Sequence, residues 1–396
     1  MPNQSQNATD HTTELAIVSD LNKSWAGSRN REQLKKQLFA VVRRLGAGGD
    51  GEVVQWTHLP TKTNLAVKSS HPDDGQAGRM VEEEAKNLIM LGAHDHIVHM
   101  IACTQSSVGP QLFLELCDLG CLHDYRDQWC AQEKANGRPA YPSDVTIWKL
   151  LKDISLALDF IHNKHQISHV HNDMKPDNIL VTRPSGWAPE GGVPIEPTFK
   201  ITDFARLMAY PAAPDGHFQE FCGTYEYAPP TNERRGPIHP AVDIWGLGAS
   251  IQTFKTGLPS TVSKEAYIME MKLRGKPYPK TNGAWRTATV RWQRRVVYRP
   301  LDVPASILRE DYDLAQIGDD YVPSSYSTEC VYRMLLHHKA SERVTSAALV
   351  KHVVSRADRE IAILKASIEA NRLFESARKL REKVAVSQVQ RLMRAG

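Results

Sequence analysis

The sequence predicts an α+β fold in which a small strand-rich unit precedes a larger, mainly helical unit. Between residues 38 and 67, short alternating apolar runs are separated by Gly and polar turns, which is typical of a meander of strands. Residues 79–92 indicate one main helix beside these strands. Apolar residues then recur at helical spacing from Ile147 to Ile161. From there to about residue 355 the pattern stays mainly helical, interrupted by loops rich in Pro and Gly.

The remaining segments are assigned from the same patterns. Residues 1–36 are polar and mostly aperiodic, so we expect a flexible tail that contains no more than one short helix. Ile97-Val98 and residues 112–114 indicate two more strands, and Asp144 is a candidate cap of the helix that follows. Residues 183–198 look like an insertion between two strands. Residues 356–396 predict a basic amphipathic helix that packs on the large unit, binds a partner or stays free.

Composition indicates a globular protein of an ordinary kind. The 396 residues carry a net charge of +4, a surplus too small to argue for a nucleic-acid partner. No apolar run reaches the roughly 18 residues of a membrane span, and the N-terminus lacks the apolar run of a signal peptide. Six cysteines in a chain of this length do not form a disulfide framework. We therefore expect an intracellular protein, cytoplasmic or nuclear, with reduced thiols.

Two short strings in the strand-rich unit carry candidate phosphate-binding chemistry. Residues 46–53, GAGGDGEV, form a G-x-G-x-x-G-x-V string, whose glycines let backbone N–H groups approach phosphate oxygens. Alone, this string is more typical of an ordinary hairpin than of a phosphate-binding loop. Lys68 closes an apolar strand, Ala66-Val67-Lys68, and Glu84 on the following helix is its candidate partner, with Glu82 and Glu83 as competitors.

A third string is the most specific. The segment HNDMKPDN, residues 171–178, follows the amphipathic helix and resembles the catalytic loop H-R-D-x-K-x-x-N of the eukaryotic protein kinase family, serine/threonine type. Further strings similar to that family's motifs come in its order: DFA at 203–205, GTYEYAPP at 223–230, DIWGLG at 243–248 and Arg343 in SERVT. Together these matches span about residues 38–355.

The resemblance implies a two-lobed kinase fold that uses ATP and Mg²⁺. The small antiparallel-sheet N-lobe with one main helix would cover residues 37–116, and the larger helical C-lobe residues 117–355. Lys68, paired with Glu84, would reach the α- and β-phosphates, Asp173 would orient the substrate hydroxyl, and Lys175 would hold the γ-phosphate. Asn178 and Asp203 would bind magnesium. The nucleotide site would further include Gly46, Ala47, Gly48, Gly51, Val53, Ala66, Leu114, Glu115 and Cys117.

The implied activity is transfer of the ATP γ-phosphate to Ser or Thr hydroxyls of protein substrates. Three departures from the family pattern keep a second hypothesis open, a pseudokinase that binds nucleotide without transfer. Asn172 replaces an arginine that binds a phosphate on the activation loop, so we expect activity without phosphorylation of that loop. Ala205 replaces a glycine. Thr231 replaces a glutamate that pairs with the late arginine, so Arg343 is either unpaired or paired with Glu233. A small-molecule kinase is a third, weaker hypothesis.

Two weaker signals remain open. Residues 271–300 contain nine Lys and Arg residues and no acid, with Trp285 and Trp292 interleaved. A solvated surface insertion is the favoured interpretation, and a docking patch for an acidic partner is the alternative. Histidines crowd at 94–99 and at 162–171, but the spacing of acidic or thiol ligands does not favour a metal site there.

Overall fold

The structure of the protein, a computed structural model, describes residues 4–25, 31–49, 51–71, 74–106, 109–211, 221–230, 232–234, 236–262, 264–281, 284, 296–312 and 314–395. The strands are β1 Phe39–Gly48, β2 Gly51–His58, β3 Thr63–Ser69, β4 Met100–Ser106, β5 Gly109–Glu115, β6 Ser168–Val170, β7 Ile179–Thr182, β8 Thr198–Ile201 and β9 Met208–Tyr210. The helices are α1 Gln4–Trp25, α2 Arg31–Leu38, α3 Gly75–Leu91, α4 Leu122–Ala135, α5 Asp144–Asn163, α6 Ala241–Thr256, α7 Lys264–Leu273, α8 Ala305–Asp311, α9 Tyr326–Leu335, α10 Ser346–Leu349 and α11 Ser355–Ala395.

The N-lobe is an antiparallel sheet in the order β1-β2-β3-β5-β4, with α3 packed against it. Val67 on β3 and Phe113 on β5 lie within runs of consecutive buried residues, because these central strands are covered on both faces. The predicted order of a small antiparallel lobe with one main helix, followed by a helical lobe, is confirmed. Gly51 is required where β2 begins, because its φ is +144° and a Cβ there would lie 2.0 Å from the carbonyl oxygen of Ser69.

The first 25 residues correct the expectation of a flexible tail. They contain α1, a helix of 22 residues, whose Ile17 and Leu21 are buried on the outer face of the sheet against Trp56 and Phe113. Its Asp20 carboxylate lies 3.2 Å from Nε2 of the buried His58. Its pattern does not predict a helix of this length, because only a few of its residues are apolar and the burial of Ile17 and Leu21 depends on the sheet.

Two boundary predictions were also wrong in detail. β4 begins at Met100, after the predicted pair Ile97-Val98, where Ile97 forms only an isolated bridge to Ile201. The N-terminus of α5 is capped by Ser143, whose hydroxyl accepts the backbone N–H of Val145. Asp144, the predicted cap, instead accepts hydrogen bonds from the Ser325 backbone and the Thr328 hydroxyl, and thereby joins α5 to α9.

The C-lobe is organised around α5 and α6. Most of α5 is buried, and all 16 residues of α6 are buried. Gly246 allows α6 to pack directly under the predicted catalytic loop, because a Cβ there would lie 2.6 Å from the Met174 carbonyl oxygen. This contact fixes the loop to the most buried helix of the lobe.

The predicted insertion lies between β7 and β8 and is held to the C-lobe. Gln132 exchanges two hydrogen bonds with the backbone of Val193, the Tyr125 hydroxyl donates to the Pro194 carbonyl, and the Thr146 hydroxyl donates to the Ile195 carbonyl.

Helix α11 packs on the C-lobe through its first turns. Ala357 and Ile361 are buried, whereas Leu373 and Phe374 have 64% and 69% of their surface exposed. Among the described residues, no helix combines the length and apolarity needed to cross a membrane.

The basic segment 271–300 is only partly described, and residues 285–295 lie outside the described residues. One arginine of this segment contradicts the prediction that the segment is a solvated surface insertion. Arg299 is 1% exposed, and its guanidinium donates to the carbonyls of Tyr312 and Pro259.

Candidate active site

A cavity of about 1010 Å³ opens between the two lobes. It is lined by the loop between β1 and β2, the segment that connects the lobes, the catalytic-loop region and the start of the segment after β8. Every site residue predicted from the sequence lines this one cavity: Gly46, Ala47, Gly48, Gly51, Val53, Ala66, Lys68, Glu84, Leu114, Glu115, Cys117, Asp173, Lys175, Asn178 and Asp203. Residues separated by more than 150 positions are therefore brought to one cleft.

Lys68 bridges two acidic residues on the N-lobe side of the cavity. Its Nζ lies 2.6 Å from Glu84 Oε2 on α3 and 3.0 Å from Asp203 Oδ1. Burial opposes the charged ammonium, but the two carboxylates outweigh it and raise the pKa of Lys68. Burial likewise favours protonation of Asp203, yet Lys68 holds the pKa of Asp203 below its ordinary value. Burial raises the pKa of Glu84, so the ionised form of this carboxylate depends on Lys68.

The DFA string is held against α3 and the catalytic loop. Phe204 is fully buried and contacts His171 edge to face, with ring centroids 5.0 Å apart, and Asn87 donates to the Phe204 carbonyl. Asp203 has a φ of +65°, a strained conformation that Asp tolerates better than most residues. Ala205 lies in a short 3₁₀ turn, Phe204–Arg206, and is not among the described residues with positive φ, so the missing glycine imposes no strain here.

Asp243 on α6 anchors the backbone of the catalytic loop. Its two carboxylate oxygens accept the backbone N–H groups of His171 and Asn172 at 2.7 and 2.9 Å. His162 Nε2 lies 2.9 Å from the same carboxylate. This network holds Asn172 in a left-handed conformation, with φ of +67°, and so sets the direction in which Asp173 enters the cleft.

Asp173 is the most densely hydrogen-bonded group of the site. Its Oδ1 accepts the backbone N–H and the hydroxyl of Thr224 at 2.7 and 2.9 Å. Its Oδ2 lies 3.0 Å from Lys175 Nζ, 3.3 Å from Arg206 Nη1 and 3.4 Å from Asn178 Nδ2. The Lys175 ammonium also donates to the Thr224 hydroxyl at 2.9 Å. An acceptor hydroxyl placed in this cleft would therefore meet a carboxylate whose orientation is already fixed.

Gly223 permits the close approach of Thr224 to Asp173. A Cβ at Gly223 would lie 2.4 Å from the Asn172 carbonyl oxygen and 3.0 Å from Asp173 Oδ1. The segment from Asp203 to Pro230, which we call the activation segment, therefore returns to the catalytic loop through a glycine; its residues 212–220 lie outside the described residues.

The buried arginine near the end of the C-lobe has a partner. Arg343 makes two hydrogen bonds to Glu233, at 2.9 and 2.7 Å, and its side chain is fully buried. Thr231, the position of the expected glutamate, lies outside the described residues. Of the two alternatives left by the sequence, pairing with Glu233 is confirmed.

Sequence reasoning missed several residues of the cleft. Arg206 approaches Asp173, and Arg43 lines the cavity near the glycine-rich loop. Asp118, Cys121 and Asp124 line its mouth, after the segment that connects the lobes. The position of these last three just beyond Glu115 was a usable signal, whereas Arg206 carried none, since a surface cation is the ordinary interpretation of an isolated arginine.

The donor set at the base of the cavity fits magnesium bound to a nucleotide. Asp203 and Asn178 offer one carboxylate and one amide oxygen, and Mg²⁺ in proteins is commonly held by one or two such groups together with substrate phosphates. Among the described residues, no group of three or more His, Cys, Asp or Glu side chains is placed to hold a metal ion by itself. Gly46, Gly48 and Gly49 line the same cavity, and apart from their chain neighbours no atom lies within 4 Å of where their Cβ atoms would be.

The two-lobed fold and the cleft between its lobes are those expected of a protein kinase domain. Comparison with known families agrees, since the sequence profile of the protein kinase domain matches residues 39–355. The chain belongs to the protein kinase family.

Curated relatives are similar at low identity. The chain is 28% identical over 243 residues to the mitosis inhibitor protein kinase wee1 of Schizosaccharomyces pombe, an alignment that covers 60% of this chain and 24% of that protein. It is 26% identical over 253 residues to the serine/threonine-protein kinase ATG1 of Beauveria bassiana, covering 56% and 26%. It is 25% identical over 240 residues to sperm motility kinase 3A of Mus musculus, covering 60% and 42%. The chain thus spans less than half of the length of each of these relatives.

Proposed function

We propose that the protein is an active serine/threonine protein kinase. The observation that carries this proposal is that six charged or amide groups face one cleft: Lys68, Glu84, Asp173, Lys175, Asn178 and Asp203. A scaffold that only binds nucleotide does not need Asp173 and Lys175, whereas transfer needs all six groups together. Their retention favours an enzyme over a scaffold that only binds nucleotide.

In the proposed reaction, the oxygen of a Ser or Thr hydroxyl attacks the γ-phosphorus of ATP. A new P–O bond forms as the bond to the β-phosphate oxygen breaks, and ADP leaves. Asp173 orients the hydroxyl and accepts its proton, and Lys175, which lies 3.0 Å from Asp173, holds the γ-phosphoryl oxygens. Lys68 is kept charged by Glu84 and Asp203 and binds the α- and β-phosphates. Magnesium, bound through Asp203 and Asn178, would neutralise charge on the triphosphate.

The preference for Ser and Thr acceptors rests on Lys175 and Thr224. Both are positions where the serine/threonine branch of the family has a lysine and a threonine, and in this chain they contact one another at 2.9 Å. Proteins are the proposed substrates, and the proposed location is intracellular, in the cytoplasm or the nucleus, where free cysteines such as these six are kept reduced.

The proposal is tested by transfer of label from radiolabelled ATP to generic protein substrates. The wild type is compared with Asp173→Asn and with Asp127→Asn, a control whose carboxylate is 81% exposed on α4. We expect Asp173→Asn to lose about a hundredfold or more in rate and the control to keep wild-type activity. Phosphoamino acid analysis should show phosphoserine and phosphothreonine. Equal incorporation by wild type and Asp173→Asn would reject the catalytic claim, and ATP binding without any transfer would support the pseudokinase.

A further inference from the structure

The junction between the activation segment and the catalytic loop lacks the charge pair expected there. Asn172 is uncharged and fully buried, so it offers no cation to a phosphate on the activation segment. Its Nδ2 instead donates to Met208 Sδ at 3.0 Å and to Cys222 Sγ at 2.9 Å. Hydrogen bonds to sulfur are weak, so these contacts alone do not explain an ordered segment.

The sequence of the activation segment also offers few sites for a phosphate. Between residues 204 and 227 there is no serine, and the hydroxyl-bearing residues are Tyr210, Thr224, Tyr225 and Tyr227. Thr224 is already hydrogen-bonded to Asp173 and Lys175. Three tyrosines are then the remaining phosphate sites between residues 204 and 227, so we first consider the groups of the chain itself that can order this segment.

Arg206, in the activation segment, supplies a cation at this junction. It lies directly after the DFA string, and its Nη1 is 3.3 Å from Oδ2 of Asp173, whose side chain is 2% exposed. A charge-assisted contact to a buried carboxylate is stronger than one between exposed groups. The other oxygen of the same carboxylate holds Thr224. One carboxylate thus binds both described ends of the activation segment, through Arg206 and through Thr224.

We propose that Arg206 is a positioning residue that replaces activation-segment phosphorylation in this chain. In the contact expected from the family, the cation lies in the catalytic loop and the phosphate lies on the activation segment. Here the cation, Arg206, lies in the segment, and the anion, Asp173, lies in the catalytic loop. Arg206 holds the start of the segment against Asp173 and keeps the Asp173 carboxylate turned towards the acceptor site. The effect on rate rests on the proposed kinase function, whereas the effect on order of the segment does not.

The kinetic test compares Arg206→Gln with Arg138→Gln, a control whose guanidinium is bound to Glu133 on α4 away from the cleft. Because misplacement of a reacting group costs up to about a hundredfold, we expect kcat of Arg206→Gln to fall roughly ten- to a hundredfold. KM for ATP should stay within about twofold, since the nucleotide contacts of Lys68 are intact. Arg206→Lys, and guanidinium added to Arg206→Ala below denaturing concentrations, should each restore part of the lost kcat.

A second measurement, hydrogen exchange, does not depend on activity. Amides of residues 207–211 and 221–227 should exchange faster in Arg206→Gln than in the wild type or Arg138→Gln, while α5 stays unchanged. If wild type and Asp173→Asn transfer phosphate equally, the proposed function fails and exchange alone decides this inference. Wild-type exchange in Arg206→Gln, a kcat equal to that of Arg138→Gln, or a kcat loss that neither lysine nor guanidinium restores would each overturn the inference.

Discussion

Two ion pairs in the molecule contrast in how they relate to the sequence motifs. Lys68 pairs with Glu84 at the position where the kinase family has its lysine and glutamate, at 2.6 Å. Arg343 keeps the family's late arginine, but its partner is Glu233, two positions beyond Thr231. Both positions of the Lys68 pair are constrained, because its partners line the cleft where the nucleotide is proposed to bind. The Arg343 pair only has to neutralise a buried charge, so its carboxylate can come from a residue at another nearby position in the chain.

The contrast predicts that the relocated pair matters for stability. In Glu233→Gln, the guanidinium of Arg343 remains fully buried without its anion. Removal of one partner of a buried pair costs about 3–5 kcal/mol of the free energy of unfolding. Urea denaturation should show this loss, and Glu342→Gln, whose exposed carboxylate contacts Lys339, should change it by less than about 1 kcal/mol. A loss of similar size in both variants would show that the Arg343 pair is not special.

The Lys68 pair, by contrast, should matter for transfer. In Lys68→Met, Glu84 loses the ammonium that keeps it ionised in spite of burial, and the ATP phosphates lose a cation. Loss of one such electrostatic group costs about 10²–10³ in rate, or roughly 2.7–4 kcal/mol. Steady-state assays should show the loss in kcat/KM. The control is Lys86→Met, since the Lys86 side chain is 65% exposed on α3, the helix that carries Glu84. Unchanged kcat/KM would place Lys68 outside the reaction.

How much of this could be predicted follows from the same contrast. Local periodicity and motif spacing were enough to predict the sheet, α3, α5 and the residues assigned to the cleft. Helix α1 could not be predicted, since Ile17 and Leu21 are buried only by contact with residues of the sheet. Arg206 could not be predicted either, because its partner is 33 positions away and its role appears only when the activation segment folds back. The assignment of the cap to Asp144 failed because Ser143, one residue earlier, competes for the same role.

The junction at Asp173 can be tested through Gly223. In Gly223→Ala, the new Cβ would lie 2.4 Å from the Asn172 carbonyl, so the activation segment must move away from the catalytic loop. A displacement of this size costs on the order of tenfold to a hundredfold in kcat. Gly236→Ala is the matched control, because no atom lies closer than 4.0 Å to its Cβ position. Equal kcat in the two variants would show that the close approach of Thr224 to Asp173 is dispensable.

The smallest effect is expected from removal of the tyrosines in the activation segment. Because Asn172 is uncharged and Arg206 already binds Asp173, we expect phosphate on Tyr210, Tyr225 or Tyr227 to add little to the order of the segment. The triple Tyr→Phe variant should therefore keep activity within about tenfold, or 1.4 kcal/mol, of the wild type. Part of any small loss comes from Tyr227, whose hydroxyl lies 3.3 Å from His123 Nε2, and the single variant Tyr227→Phe measures that part separately. A larger loss in the triple variant that Tyr227→Phe does not reproduce would mean that a phosphorylated tyrosine orders the segment, and the independence from phosphorylation would be rejected.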